Sequence, residues 1–293
     1  MLVNDIANII LEDDTEPDWL IRDMMTQSSL ICLGGEPGAG KSYVSYTIGL
    51  AIAGGIRTLS GLVYGGEPKC VLYFDDENSK ADRDKYIKRS WTALTENMPD
   101  SQKYEMLDKL TDNFWPVHYQ LGGDDWPDVV ANCIETVTEV RGSSPHAMVF
   151  DTAASCFNIQ EENNNSEAAN NVKAIRRLMA LGDPPLTALV LKHAKIRSDR
   201  GRRTLRGAKA WIGMADMVLF QVKAAGRPRK DGLSLTRLEP DKTRAYGLSR
   251  TIYITPSYTD DKRSGLRLDA SFNASREHQQ KEQEEDELLD TVE

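Results

Sequence analysis

One short stretch limits the fold more than any other feature of the chain. Gly34 to Ser42 reads GGEPGAGKS, between the apolar run SLICL and the small-residue helix pattern YVSYTIGLAIAGG. Gly35, Glu36, Pro37, Gly38, Ala39, Gly40, Lys41 and Ser42 satisfy G-x-x-x-x-G-K-[ST] without a mismatch, in the strand-then-helix context the motif requires. Its glycines let backbone amides turn inward around a β-phosphate, and the following helix points its N-terminus at the same anion. Lys41 is expected to reach the β- and γ-phosphates and Ser42 to ligate Mg²⁺; Tyr43, next in line, completes the expected ATP contacts. A motif of this kind implies an α/β fold with a sheet behind it.

The rest of the chain agrees. Apolar runs of strand length recur at SLICLGG, KCVLYFDDE, FWPVHYQL, HAMVFDT, LTALVLKHA, DMVLFQVKA, LSLTRLEP, RTIYITPSY and LRLDAS. The early runs are continuous, as expected of parallel strands covered on both faces by helices. The later ones alternate and are separated by short turns such as GRPRKDG, which predicts an antiparallel extension at one edge of the sheet. KYIKRSWTALTENMPDSQKYEMLDKL predicts one or two amphipathic helices interrupted near Pro99. SEAANNVKAIRRLMAL predicts another, begun by Ser166 and Glu167 and stopped by GDPP.

The chain has 293 residues, enough for one large domain. Three parts are expected: an N-terminal arm over 1–28, an ATPase domain over 29–272 and an acidic, disordered tail over 273–293. The tail matters for the charge. REHQQKEQEEDELLDTVE holds eight acidic residues and two basic ones out of a net charge of −9, so the body is near balance and its positive charge is concentrated locally. No apolar run reaches membrane-spanning length and the N-terminus is acidic, so a cytoplasmic protein that does not enter membranes is expected. Cys32, Cys70, Cys133 and Cys156 stand singly, without metal-ligand spacing, and are expected to be reduced core residues.

Two acidic strand ends complete the expected nucleotide site. Asp151, closing HAMVFDT, is placed to hold the metal side of the nucleotide. Glu77, just beyond VLYFDD, is placed to orient and deprotonate the attacking water, with Asp75 and Asp76 as adjacent competitors. The residue after Asp151 is Thr152, so the base does not follow the metal aspartate directly.

The order of P-loop, D-D-E-N strand end, F-D-T strand and L-K-H-A strand resembles the RecA-like ATPases, and more closely the ring-shaped replicative helicases of the plasmid RepA and DnaB-like group. The resemblance spans roughly Trp19 to Tyr258 and implies a RecA-like P-loop core, mostly parallel with an antiparallel edge. It also implies that His193, in LVLKHAK, senses the γ-phosphate. The segment AKIRSDRGRRTLRGAK carries Arg197, Arg200, Arg202 and Arg203 among seven cations against one acid. In the resemblance it faces a central channel and grips single-stranded DNA by its phosphates; the absence of aromatics from it argues against base stacking.

Lys242 and Arg244 resemble a Lys-x-Arg element that reaches a neighbouring subunit's nucleotide. Arg206 is the rival for that role, and sequence leaves both open. The implied protein is a homo-oligomer, expected to be a hexamer, that uses ATP and Mg²⁺ to move on single-stranded DNA in replication. A recombinase-type or regulatory RecA-like ATPase is the alternative, and a small-molecule kinase with a basic lid is a third reading. With about thirty residues before the motif, a minimal motor is expected. MLVNDIANIILEDD could form an arm with Ile6, Ile9 and Ile10 on one face, packing on an adjacent subunit or on its own domain, and the acidic tail is a candidate for recruiting a replication partner.

Overall fold

A computed structural model describes residues 16–59, 63–118, 121–157, 159–161, 164–196, 203–205, 209–223, 236–244, 251–259 and 262–269. In chain order the elements are β1 (Trp19–Ile21), β2 (Met25–Thr26), β3 (Leu30–Gly35), α1 (Lys41–Gly54), β4 (Ile56–Thr58), β5 (Val63–Tyr64) and β6 (Val71–Asp75). Next come α2 (Lys80–Thr95), α3 (Asp100–Asn113), β7 (Phe114–Val117), α4 (Trp126–Arg141), β8 (Ala147–Asp151), α5 (Ala153–Cys156) and α6 (Asn165–Met179). They are followed by β9 (Thr187–Ile196), β10 (Arg203–Leu205), α7 (Lys209–Met214), β11 (Met217–Lys223), β12 (Thr236–Thr243), β13 (Ile252–Thr259) and β14 (Lys262–Asp269).

The central sheet runs β14-β13-β12-β11-β3-β9-β8-β6-β7, with β10 paired to β9. From β11 to β7 every neighbouring pair is parallel; β12, β13 and β14 extend one edge antiparallel. This is the α/β architecture read from the strand patterns. The continuous apolar runs arise because the sheet has a core on each face. Ile31, Leu33, Val71, Tyr73, Val149 and Leu191 point into one, with α1, α2 and α3. Leu30, Cys32, Leu72, Phe74, Met148 and Val190 point into the other, with α4, α6 and α7. Alternate side chains enter opposite layers, and both layers are apolar.

Helix α1 is buried around nearly its whole circumference, which is why YVSYTIGLAIAGG lacks a polar face. It starts after Gly40, at φ 89°, and closes on Gly55, at φ 77°, both left-handed positions that glycine occupies without Cβ strain. The pattern broken near Pro99 resolves into α2 and α3, with Pro99 as the N-cap of α3. Helix α6 is capped by Asn164, whose side chain accepts from the Ser166 and Glu167 amides.

Part of the segment read as an arm belongs to the packed domain: β1 and β2 form a hairpin whose flanking Leu20, Ile21, Met24 and Met25 are buried in the first core. Residues 1–15 of the arm, the tail over 273–293, and the turn GRPRKDG lie outside the described residues. Cys32, Cys70 and Cys156 are buried free thiols and Cys133 is half-buried and free; burial pushes Cys32 up to about 12. Among the described residues no helix is long and apolar enough to cross a membrane, and no cluster of His, Cys, Asp and Glu is arranged to hold a metal on its own.

Candidate functional site: a phosphate cradle at the C-terminal strand edge

Strands β3, β6 and β8 end at one edge and β9 passes it, and each delivers one predicted residue there. Asp75 lies in register with Asp151, and Gly35 with His193. The P-loop therefore leaves the sheet beside the strand that carries His193, and Glu77 follows two residues after Asp75. Ligands in open α/β sheets bind at this edge.

The loop is shaped for a phosphate. Gly38 and Gly40 have φ of 73° and 89°, and a Cβ on Gly35 would lie 3.1 Å from the Lys41 stem and 3.2 Å from the Gln221 carbonyl. Lys41 is buried and donates through Nζ to the carbonyls of Gly35 and Glu36, both at 3.1 Å. Its ammonium is thus folded back onto the loop, with carbonyl partners that a phosphate oxygen would replace. Burial holds its pKa below the usual lysine range, opposed by the charges of Asp151 and Glu77, so both acids share the field of Lys41. Glu36, Pro37 and Gly38 are exposed, whereas Ser42 and Tyr43 are half-buried at the start of α1.

Asp151 is fully buried. Its Oδ2 accepts from the Tyr73 hydroxyl at 3.1 Å, and its Oδ1 has no hydrogen-bond partner among the described residues. Burial pushes its carboxyl up to about 7, reinforced by the charge of Asp75 and opposed by the hydroxyls of Ser42 and Tyr73. A buried carboxylate oxygen with nothing to pair it, close to the P-loop serine, fits a divalent cation held by Ser42 and Asp151: a cation would supply the compensation that burial removes.

Asp75, in contrast, is saturated. It accepts from the Tyr46 hydroxyl (2.9 Å), from the Asn78 amide nitrogen (3.0 Å) and from the Asn78 side chain (2.9 and 3.1 Å). The Glu77 amide adds a longer contact of 3.3 Å, and Arg83 braces the same turn by donating to the carbonyls of Asp75 and Asn78. Asp76 accepts from the Leu121 amide at 2.9 Å. Of the three adjacent acids, Asp75 and Asp76 are thus tied into the protein, while Glu77 is exposed at the mouth of the site.

Gln221, which the sequence reading missed, closes the cradle. It is buried at the end of β11 and donates to the Ala39 carbonyl at 2.6 Å. The available signal was a single amide inside the apolar run DMVLFQVKA. Tyr46 and Tyr73 were missed as well, because tyrosines in apolar segments look like core.

The other predicted residues fall elsewhere. Arg203 opens β10, which pairs back onto β9 with Arg203 opposite Ile196 and Leu205 opposite Ala194. The basic segment is therefore rooted at the cradle, and a Cβ on Gly34 would lie 2.4 Å from Leu205 Cδ2. Arg197, Arg200, Arg202 and Arg206 lie outside the described residues. Lys242 and Arg244 sit at the opposite edge of the sheet. Because β12 is antiparallel to β11, Thr243 is level with Met217, and Gln221 with Gly35. Four strand residues separate the two levels, roughly 13 Å. There Lys242 Nζ donates to the carbonyls of Ala215, Ile212 and Gly213 at 2.6, 2.7 and 3.0 Å, closing the C-terminus of α7. Arg244 donates to the Gly213 carbonyl at 3.0 Å and lies 3.6 Å from Asp216.

A phosphate cradle at the carboxyl ends of parallel strands, with a buried aspartate at the end of β8 and an antiparallel edge, defines a P-loop ATPase with a RecA-like core. The family model described as an AAA domain matches residues 3–198, and the chain belongs to that family. The structure is similar to the crystal structure of the RadB recombinase, with a TM-score of 0.53, 13% identity and coverage of 84% of this chain and 92% of that one. It is also similar to the ATPase domain of G40P, with a TM-score of 0.54, 10% identity and coverage of 78% and 82%. At these identities the likeness is one of fold. No curated protein matches the sequence.

Proposed function

We propose that this chain is an ATP-driven translocase or helicase that works as a ring of copies, six by the resemblance to replicative helicases, on single-stranded DNA in replication. The observation that carries the reading is the path of β9. It passes the cradle at His193, in register with Gly35, and runs directly into the basic segment, which β10 returns to the same place. A change at the phosphate edge thereby has a short route along β9 to the start of the basic segment.

In this reading the cradle of Gly35 to Tyr43 holds ATP. Ser42 and Asp151 would hold Mg²⁺, which would supply positive charge against the phosphates. Lys41 exchanges its loop carbonyls for phosphate oxygens, Glu77 takes a proton from the attacking water, and His193 senses the γ-phosphate. Arg197, Arg200, Arg202 and Arg203 hold the DNA backbone by charge, without reading bases. Lys242 and Arg244 lie too far from the chain's own cradle to serve it, so they act on a neighbour's nucleotide or, if Arg206 is that finger, only as a structural clamp.

The test is ATPase activity with and without single-stranded DNA, with forked-duplex unwinding beside it. Stimulation by DNA that disappears in Lys41→Ala supports a motor; activity indifferent to DNA removes it. Mixing two inactive variants tests the shared site. Glu77→Gln and Arg244→Ala chains mixed equally form about one junction in four with both native groups, and activity should return to about a quarter. Activity retained by Arg244→Ala alone transfers the role to Arg206.

A RecA-like ATPase that coats DNA without unwinding it is the second reading, favoured by the likeness to the RadB recombinase. Electron microscopy with a non-hydrolysed ATP analogue separates closed rings from open filaments.

A further inference from the structure

Two carboxylates lie side by side in the core, Asp75 on β6 and Asp151 on β8, paired in register and both buried. Chemically they are the same group, and nothing in the strands themselves gives them different work. Their partners do. Asp75 has both oxygens occupied, by Tyr46, by Asn78 and by the amides of the turn that carries Glu77. Asp151 receives the Tyr73 hydroxyl on Oδ2, and Oδ1 is left without a hydrogen bond among the described residues.

The two donors form one unit. Tyr46, on α1, and Tyr73, on β6, are fully buried and stacked, with ring centroids 4.0 Å apart and planes at 20°. Phe114 packs beside both rings, at 5.8 Å from Tyr73 and 6.3 Å from Tyr46. Neither phenol can swing without displacing the other, so each hydroxyl is held where its aspartate needs it. Ser45, the residue before Tyr46, lies 2.5 Å from the Tyr73 hydroxyl and 3.0 Å from the Ser42 carbonyl. The pair is thereby tied to the turn of α1 that carries the P-loop serine.

We infer that the stacked tyrosines are positioning residues that divide the labour of the two aspartates: Tyr73 fixes Asp151 with one oxygen free for the cation, and Tyr46 fixes Asp75, which holds the turn presenting Glu77. The inference rests on the reading of Asp151 as metal ligand and Glu77 as base. It is independent of whether the motor moves on DNA. It implies that removing one hydroxyl impairs metal binding and removing the other impairs turnover, although the two rings touch.

The full chain with ADP tests this by titration with Mn²⁺, following free ion by electron paramagnetic resonance, with steady-state ATPase measured in parallel. Tyr73→Phe keeps the ring and should weaken Mn²⁺ about tenfold, the loss of one hydrogen bond to a charged group. Tyr46→Phe should leave Mn²⁺ affinity within about twofold of the native value while kcat at saturating Mg²⁺ falls about tenfold. Equal effects of both variants on Mn²⁺ affinity, or native affinity in Tyr73→Phe, overturn the inference.

Ser45→Ala supplies a second arm should Tyr73→Phe fail to fold. It removes a neighbour of the Tyr73 hydroxyl and leaves the Tyr73–Asp151 hydrogen bond in place, so Mn²⁺ affinity should stay within about twofold of the native value, and a large loss overturns the inference. Asp151→Asn separates the two levels. If it abolishes Mn²⁺ binding while Tyr73→Phe does not weaken it, only the tyrosine assignment falls. If it leaves binding intact, the metal assignment falls and the inference with it.

Discussion

Asp151→Asn should make the metal-free protein less sensitive to pH. In the fold burial pushes the Asp151 carboxyl up to about 7, from an ordinary value of 3.8. Between those values the native chain carries a proton at this position that the unfolded chain has lost. Stability from this group is therefore fully present below the unfolded value and is lost as pH rises through the folded one. The slope is about 1.4 kcal/mol per pH unit for one proton, so pH 5 to pH 6.5 should cost roughly 2 kcal/mol. Asparagine has no proton to lose, and every other titrating group is common to both proteins. The difference between their slopes isolates Asp151. Urea denaturation in EDTA at several pH values, fitted for the unfolding free energy, gives both slopes; adding Mg²⁺ and ADP should flatten the native one, because a cation favours the ionised carboxylate. Parallel slopes for native protein and Asp151→Asn in EDTA would refute the claim that burial of this carboxylate outweighs the hydroxyls that face it.

Two other substitutions address the loop and the far edge of the sheet. Gln221→Leu keeps most of the side-chain volume but leaves the Ala39 carbonyl without its 2.6 Å donor. The cost should be about 1–3 kcal/mol, appearing as a lower denaturation midpoint, as a KM for ATP raised about tenfold, or divided between them; if neither moves, Gln221 does not hold the loop. Lys242→Ala removes the ammonium that three carbonyls of the α7 terminus share. It should lower the melting temperature of the dissociated chain by about 2–4 °C, whereas Arg244→Ala, whose side chain is 56% exposed, should lower it by less than half as much. The reverse order in differential scanning fluorimetry would show that the clamp is misassigned.

What the sequence disclosed and what it withheld follow from the range of the interactions involved. The P-loop was legible because its chemistry is local: Gly38 and Gly40 supply the backbone angles, and Lys41 and Ser42 follow within two residues. The strands were legible because both faces of β3, β6, β8 and β9 are covered, which turns alternation into continuous apolar runs. Helix α4 was harder to read, since WPDVVANCIETVTEVR mixes β-branched residues with a narrow apolar stripe of Trp126, Val130, Ile134 and Val137. Hairpin β1–β2 was hidden by its length, three residues against two. The roles of Asp75, Asp76 and Glu77 were open in the sequence because three consecutive acids differ only in their surroundings. Those surroundings come from Tyr46, 29 residues before Asp75, and from Leu121, 45 residues after Asp76. A tyrosine in VLYFD has the same hydropathy whether its hydroxyl is idle or aimed at a carboxylate on the next strand. The pairing of Asp75 with Asp151 is set by sheet register, and register is a property of two strands together, invisible in either. The same reasoning applies to Lys242 and Arg244. Their resemblance to a Lys-x-Arg element implied a finger, but the antiparallel turn of β12 puts them at the edge away from the cradle, where a cation of this chain can meet a nucleotide only across a boundary between copies.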